Sequence, residues 1–301
     1  MMNTISSILA AAAAAPEKRT IAVAAAHDED VLTAVAEARK AGIADAVLTG
    51  NGEKIRTILK SLGEDPENYT IYEGESAADC AALAVKAVRD GKANFLMKGL
   101  LGTGDLMRAV IDRENGLRTG RLISHVMLYE VPGYKMLALS DGGMNTFPDL
   151  DKKAEILENA ARVLKALGYE SMNAACVCGA EVVNPKVQST LDAKALTEMT
   201  DRWAPYNMKV CGPVGLDLAV STAACHHKGY EAPGAGEADI LLVPTYEVGN
   251  GIGKSLGLFA GAKNAGIILG AKVPIVLVSR ADSAESKLAS IALGAVTAGQ
   301  V

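Results

Sequence analysis

The sequence predicts an α/β fold with mainly parallel sheets, and three observations carry that prediction. Short apolar runs alternate along the chain with longer stretches of helical periodicity, the rhythm of strands joined by crossover helices. Half of the residues are hydrophobic but only 4% are aromatic. Such a core is packed from small side chains, chiefly alanine and valine, as in sheets covered by helices. At 301 residues the chain has room for two ordinary domains of ~150 residues each.

The first 16 residues, MMNTISSILAAAAAAP, read as a helix stopped near Pro16. No Lys or Arg precedes the apolar run, and alanine is a strong helix former but a weak membrane residue. Runs at 21–26 and 46–49 flank a helical repeat through Val31, Val35 and Ala38 that ends at Gly42. Asp28, Glu29 and Asp30 open that helix, where the dipole favours negative charge, and His27 beside them reads as part of a helix start. Further runs at 70–72, 94–97, 135–140, 173–178, 239–243 and 274–279 alternate with helical stretches near 76–90, 103–113, 151–167, 187–200, 215–225, 253–263 and 283–298. Strands separated by helices imply parallel pairing with right-handed crossovers. Residues 122–139, with Pro132 and Gly133 at their centre, read instead as two strands joined by a tight turn. No linker or internal repeat marks a domain boundary.

Composition narrows the function. A formal charge of -5 argues against non-specific nucleic-acid binding, which needs a basic surplus to displace counterions. The five cysteines are odd in number and scattered, which fits a reducing cytoplasm and no disulfide framework. Cys176 and Cys178 alternate within a strand, one expected buried and the other half-buried. No apolar stretch reaches the ~20 residues of a membrane span. His226 and His227 beside Cys225 diverge on any regular element, so no metal site is expected.

Three strand-to-helix transitions suit anion binding. VGNGIGKS at 248–255 is not a P-loop, because Val248 stands where the motif's first glycine belongs. It reads as a Gly-rich turn leading into a helix with Lys254 in its first turn, an anion seat or else a flexible turn with a surface lysine. Ser279 and Arg280 follow the apolar run PIVLV, and an arginine there has the fork geometry for phosphate oxygens. Asp282 or Ser283 reads as the next N-cap. MKGLLGTGD at 97–105 combines glycines, Lys98 and Thr103, which suits close backbone approach to an anion; Thr103 or Asp105 reads as a cap. No complete GxGxxG occurs, so a dinucleotide site is unsupported.

Seven ordered blocks sharpen this picture: MKGLLGTGDLMRAV (97–110), LRTGRLISHV (117–126), SDGGMNTFPDLDKKAEIL (140–157), VNPKVQSTLDAKAL (183–196), GPVGLDLA (212–219), LLVPTYEVGNGIGKSL (241–256) and PIVLVSRADSAESKLASIAL (274–293). Together they resemble the phosphate acetyl/butyryl transferase family over nearly the whole chain. The resemblance implies two α/β domains of the isocitrate/isopropylmalate dehydrogenase type with the active site in the interdomain cleft. Residues 1–122 and 266–301 would form the first domain and 123–265 an inserted second. It implies transfer of a short acyl group, butanoyl foremost, between coenzyme A and inorganic phosphate, both as substrates, with no cofactor and no metal. It also implies a homodimer or higher homo-oligomer in the cytoplasm, working beside an acyl (butyrate) kinase, with no nucleic-acid or membrane partner.

Carried over position by position, Ser279 and Arg280 match the family's phosphate-binding pair. Glu247, Gly249, Asn250 and Lys254 match its E-x-G-N…K block. Lys98, Gly99 and Thr103 fall where acetyl transferases carry a Ser-Gly…Thr loop. Asp141 and Asn145 match an Asp…Asn pair, and Lys228 a lysine after the GPxxxD helix. Ser286 stands where acetyl transferases have an aspartate proposed as thiol base, so Asp282 and Glu285 are the carboxylates left for that role. Oxyanion stabilisation is expected from backbone amides of 249–253 or 99–104. Acetyl preference, a non-catalytic acyl-CoA or acyl-phosphate sensor, and a decarboxylating dehydrogenase on the related fold are the alternatives; the last needs a nucleotide and clustered aspartates, which are not evident.

Overall fold

The computed structural model describes residues 1–278 and 283–301. Contacts divide the chain into two compact units, the first of Ile5–Arg121 with Ala265–Val301 and the second of Met1–Thr4 with Leu122–Asn264. The four N-terminal residues, expected in the first domain, group with the second unit, where Met2 N donates to Leu167 O at 2.8 Å.

The first unit opens with α1 (Ile5–Ala13), β1 (Arg19–Ala24), α2 (Glu29–Lys40), β2 (Ala44–Gly50), α3 (Gly52–Ser61), β3 (Thr70–Glu73), α4 (Ala77–Arg89), β4 (Phe95–Lys98) and α5 (Thr103–Val110). The second unit holds β5 (Ser124–Glu130), β6 (Met136–Ser140), α6 (Leu150–Ala166), β7 (Met172–Val177), α7 (Gln188–Glu198), α8 (Thr200–Trp203), β8 (Met208–Val214), α9 (Leu216–Val220), α10 (Thr222–Lys228), β9 (Ile240–Leu242) and α11 (Tyr246–Leu258). The chain then returns to the first unit through β10 (Lys263–Leu269), β11 (Ile275–Val276) and α12 (Ala284–Thr297).

Within the first unit the strands run in the order β3-β2-β1-β4-β11-β10, parallel except for β10 against β11. Within the second the order is β5-β6-β9-β7-β8, parallel except for β5 against β6. The hairpin expected across 122–139 is β5 and β6. Residues 21–24 of β1 are buried without alternation, so helices must cover both faces of that sheet. Local signals set the helix ends. Asp28 accepts from Val31 N as N-cap of α2, with Glu29 and Asp30 in the first turn and Arg39 and Lys40 in the last, each charge complementing the dipole. Ser76 and Asp79 close a capping box at α4, and Ser283 caps α12 by accepting from Ser286 N.

The largest departure from expectation is α11. The segment read as a Gly-rich turn is helical from Tyr246 onward, and Gly249 N donates to Thr245 O in the helical ladder. Two of its glycines, Gly249 and Gly253, serve packing. A Cβ on Gly249 would lie 2.8 Å from Gly142 Cα, 2.8 Å from Val243 Cγ2 and 3.0 Å from Asp141 O, and one on Gly253 would collide with the Tyr129 hydroxyl. Lys254 therefore sits in the third turn of the helix, away from its start. A Gly249→Ala variant opposes two effects. Helix propensity alone would stabilise by ~1 kcal/mol, whereas overpacking costs ~1–3 kcal/mol. We expect a lower urea midpoint with an unchanged slope; a higher midpoint would refute the close-packing account.

Candidate active site

The parallel strands of each unit end at one edge. Of the expected residues Gly99, Asp141 and Asn145 lie in turns beyond such an edge, Lys98 closes β4, and Thr103, Lys228, Glu247, Gly249, Asn250, Lys254 and Glu285 lie in helices. In the first unit β4 ends on Lys98, which is 8% exposed. Its Nζ donates to Gly99 O at 3.1 Å and Leu101 O at 3.3 Å. The turn is pinned to the end of β1: Gly99 N donates to Ala24 O (2.8 Å) and Leu100 N to Ala25 O (2.7 Å). Gly99 is required by that approach, since a Cβ would lie 2.6 Å from Ala24 O and closer still to Ala25 O. These two amides are therefore spent on β1 and are not free for an oxyanion.

Thr103 begins α5, and the N-cap is Gly102, which offers no side-chain cap. The expected caps Thr103 and Asp105 lie inside the helix instead, and Asp105 pairs with Arg108 at 2.9 Å. The first amides of α5 have no intrahelical acceptor, so this helix start is open to an anion.

A cavity of about 250 Å³ lies at the same edge, lined by Asp28, Asp30, Lys98, Gly99, Val278 and Lys287 among others. Lys287, which the sequence reading passed over, is 4% exposed and pairs with Asp30 at 3.2 Å. No sequence signal marked it, because a lysine in the second turn of a helix ordinarily faces solvent. Glu285, in the first turn of α12, is exposed, and Ser286 donates its amide to Ser283 Oγ. Ser279, Arg280 and Asp282 lie outside the described residues.

In the second unit Asp141 follows β6 and is 2% exposed. Its Oδ1 accepts from Gly143 N and Met144 N, both at 2.8 Å, and its Oδ2 from His125 N (3.1 Å) and Asn145 Nδ2 (2.6 Å). Asn145 Nδ2 also donates to Ile123 O at 2.9 Å. A carboxylate has about four lone-pair sites, and all four of these are occupied. Asp141 and Asn145 thus form a clamp that shapes the turn carrying Gly142, against which Gly249 packs. Asn250 reaches Gly142 O at 3.5 Å. Glu247 and Lys254, two turns apart on α11, are both exposed. Lys228 donates to Glu181 Oε1 (2.7 Å) and Asp217 Oδ2 (2.9 Å) beyond the ends of β7 and β8. The bond to Glu181, then that to Asp217, raises its pKa above the ordinary lysine value.

All five thiols are buried. Of Cys176 and Cys178 one was expected half-buried, but both are buried; Cys178 lies just past β7 and donates to Ser189 O at 3.3 Å. Desolvation raises the pKa of every one, Cys211 to about 11. Among the described residues no cluster of three or more His, Cys, Asp or Glu is arranged to hold a metal, and no helix is long and apolar enough to cross a membrane.

Two parallel-sheet units with charged and glycine-bearing turns at their carboxyl edges define an α/β protein built to handle small anionic ligands. The model of the phosphate acetyl/butaryl transferase family matches residues 3–82 and 74–295, and the chain belongs to that family. A phosphate butyryltransferase of Clostridium acetobutylicum is 44% identical over 284 residues, 94% of each chain. A phosphate acetyltransferase of Thermotoga maritima is 42% identical over 281 residues, 93% of this chain and 95% of that one. The crystal structure of a branched-chain phosphotransacylase from Enterococcus faecalis V583 matches with a TM-score of 0.84 at 34% identity, covering 94% of this chain and 100% of that one. A 4-hydroxythreonine-4-phosphate dehydrogenase from Klebsiella pneumoniae, at TM-score 0.53 and 15% identity over 94% of this chain and 100% of that one, shares the fold alone.

Two outcomes follow from this geometry. Asp141→Ala leaves buried donors unmatched, at roughly 1–3 kcal/mol for such a group, and should lower stability in urea; unchanged stability would mean that the clamp is not structural. At pH 8 the folded protein should react slowly with an aromatic disulfide reagent, releasing five equivalents only after unfolding. A thiol titrating at the free-cysteine rate in the folded state would contradict the burial.

Proposed function

We propose that the chain catalyses butanoyl-CoA + phosphate = butanoyl phosphate + CoA by direct attack within a ternary complex. One observation carries the reading: the buried Lys98 ammonium stands at the end of β4 beside the uncapped start of α5. That pairing supplies a fixed cation and unspent amides at one strand-to-helix transition, as a reaction between anions requires. Phosphate is already anionic at neutral pH and needs little activation as a nucleophile. The oxyanion formed at the thioester carbonyl needs preorganised donors, and the Thr103 and Gly104 amides have no intrahelical acceptor. Collapse then expels the CoA thiolate. In reverse the CoA thiol gives its proton to a carboxylate, Asp282 or Glu285.

Proximity supplies much of the rate without a cofactor. Arg280 offsets the repulsion between phosphate and CoA, with Ser279 beside it. Glu247, Gly249, Asn250, Lys254 and Lys228 are assigned to substrate binding. For Lys228 this requires release from Glu181 and Asp217. The protein acts in the cytoplasm as a homodimer or larger homo-oligomer, and an acyl kinase consumes its product.

The test is phosphate-dependent CoA release from acetyl-, propionyl-, butanoyl- and valeryl-CoA. We expect kcat/KM to peak at butanoyl-CoA. A peak at acetyl-CoA would assign acetyl preference, and binding without turnover of any substrate would leave a sensor. Arg280→Ala should lose ~10²-fold or more in kcat/KM; near-normal turnover would remove Arg280 from the mechanism.

A further inference from the structure

Lys287 is a buried cation that the reaction scheme above does not use. It projects from the second turn of α12 into the cavity at the carboxyl edge of the first unit, where Lys98 also lines the wall. Its side chain is 5% exposed and that of its partner Asp30 is 72% exposed. Among the described residues Asp30 Oδ2, at 3.2 Å, is the only hydrogen-bond acceptor for its ammonium, which has three protons to donate. The cavity's other carboxylate, Asp28, accepts from Val31 N as the N-cap of α2. A desolvated ammonium is costly unless it is paired and hydrogen-bonded, and an exposed, flexible carboxylate is a weak partner for it. Two buried lysines therefore line a cavity of about 250 Å³, and the carboxylate on Lys287 is an exposed one that an anion can replace.

We propose that Lys287, with Lys98 on the same cavity wall, seats a phosphate group, and that Asp30 holds the Lys287 ammonium until that anion displaces it. The phosphate group belongs either to inorganic phosphate or to coenzyme A. A phosphate offers three or more acceptor oxygens, enough for both ammoniums at once. The proposal rests on reading this edge as the phosphate-handling side of acyl transfer, and its test does not depend on turnover.

Inorganic phosphate and CoA are titrated separately by calorimetry into the wild type, Lys287→Gln, Lys287→Arg and Asp30→Asn. Loss of a charged hydrogen-bond partner should weaken binding roughly 10- to 100-fold in Lys287→Gln, with Lys287→Arg recovering most of it. Weakening confined to the phosphate titration identifies inorganic phosphate as the occupant, and weakening confined to CoA identifies a CoA phosphate. Asp30→Asn removes the competing carboxylate and should tighten the same ligand roughly 2- to 5-fold. A merely structural ion pair predicts that Lys287→Gln and Asp30→Asn both lower thermal stability while both dissociation constants stay unchanged, and that result overturns the proposal. If Lys287→Gln does not fold, Asp30→Asn decides, and unchanged affinity for both ligands is again the refuting outcome. Absent turnover with Lys287-dependent binding would remove the proposed reaction and keep the seat. Turnover with Lys287-independent binding would do the reverse.

Discussion

The turns at both sheet edges depend on backbone passing backbone at distances that leave no room for a Cβ. In the first unit Gly99 lies so close to Ala24 and Ala25 that its amide and that of Leu100 bond to β1 carbonyls. In the second unit Gly142 and Gly249 approach each other, so that α11 starts hard against the turn after β6. Each contact fixes where the following residues emerge. Gly99 places Lys98 inward and starts α5 four residues on, and Gly249 holds the exposed face of α11 in register with the Asp141 clamp. A side chain at either glycine would move the chemistry of its edge before it touched any charge.

Electrostatics then separates two kinds of charged group. Lys98 and Lys287 are buried; Lys98 donates to the Gly99 and Leu101 carbonyls, and Lys287 pairs with the exposed Asp30. Lys228 is exposed and already holds two carboxylates. A buried cation in low dielectric attracts an anion far more strongly than a solvated one does, so the first unit's edge is the better place for a small, doubly charged ligand. The second unit contributes shape through a carboxylate, Asp141, whose acceptor sites are all filled by its own turn.

The strand–helix alternation was legible because most strands are short, apolar and buried, and their helices carry ordinary caps such as Asp28 and Ser283. Among the strands and the helices longer than one turn, three were not. β8 contains Gly212 and Pro213, which weaken a strand signal, yet it pairs only with β7 and its outer side tolerates a missing N–H. β10 begins with Lys263 and Asn264 and has Gly266 inside it. α3 is amphipathic but opens on a glycine. One expected helix near 215–225 is two, because Ser221 leaves helical geometry to cap α10. Lys98 was legible as the residue closing an apolar run and Asp141 only through the family resemblance, whereas the glycines of α11 misled. Four glycines in nine residues signal a turn locally, and only the neighbouring Gly142 and Tyr129 make two of them, Gly249 and Gly253, a packing surface. Lys287 was invisible because its burial depends on where Asp30 and Lys98 end up.

The inertness of the thiols bears on the reaction path. An acyl group leaving CoA either rests on the protein or passes directly to phosphate. Cysteine is the side chain best suited to hold it, and it must be a thiolate to attack. Every cysteine here is buried, and desolvation holds each thiol's pKa above its ordinary value, Cys176 most of all. None lies in the turns beyond β4 or β9, where Lys98 and α11 stand. Direct transfer asks less of this protein. It needs the two anions held side by side and a developing oxyanion met by amides already in place. The open start of α5 and the buried lysines of the first unit are suited to that task.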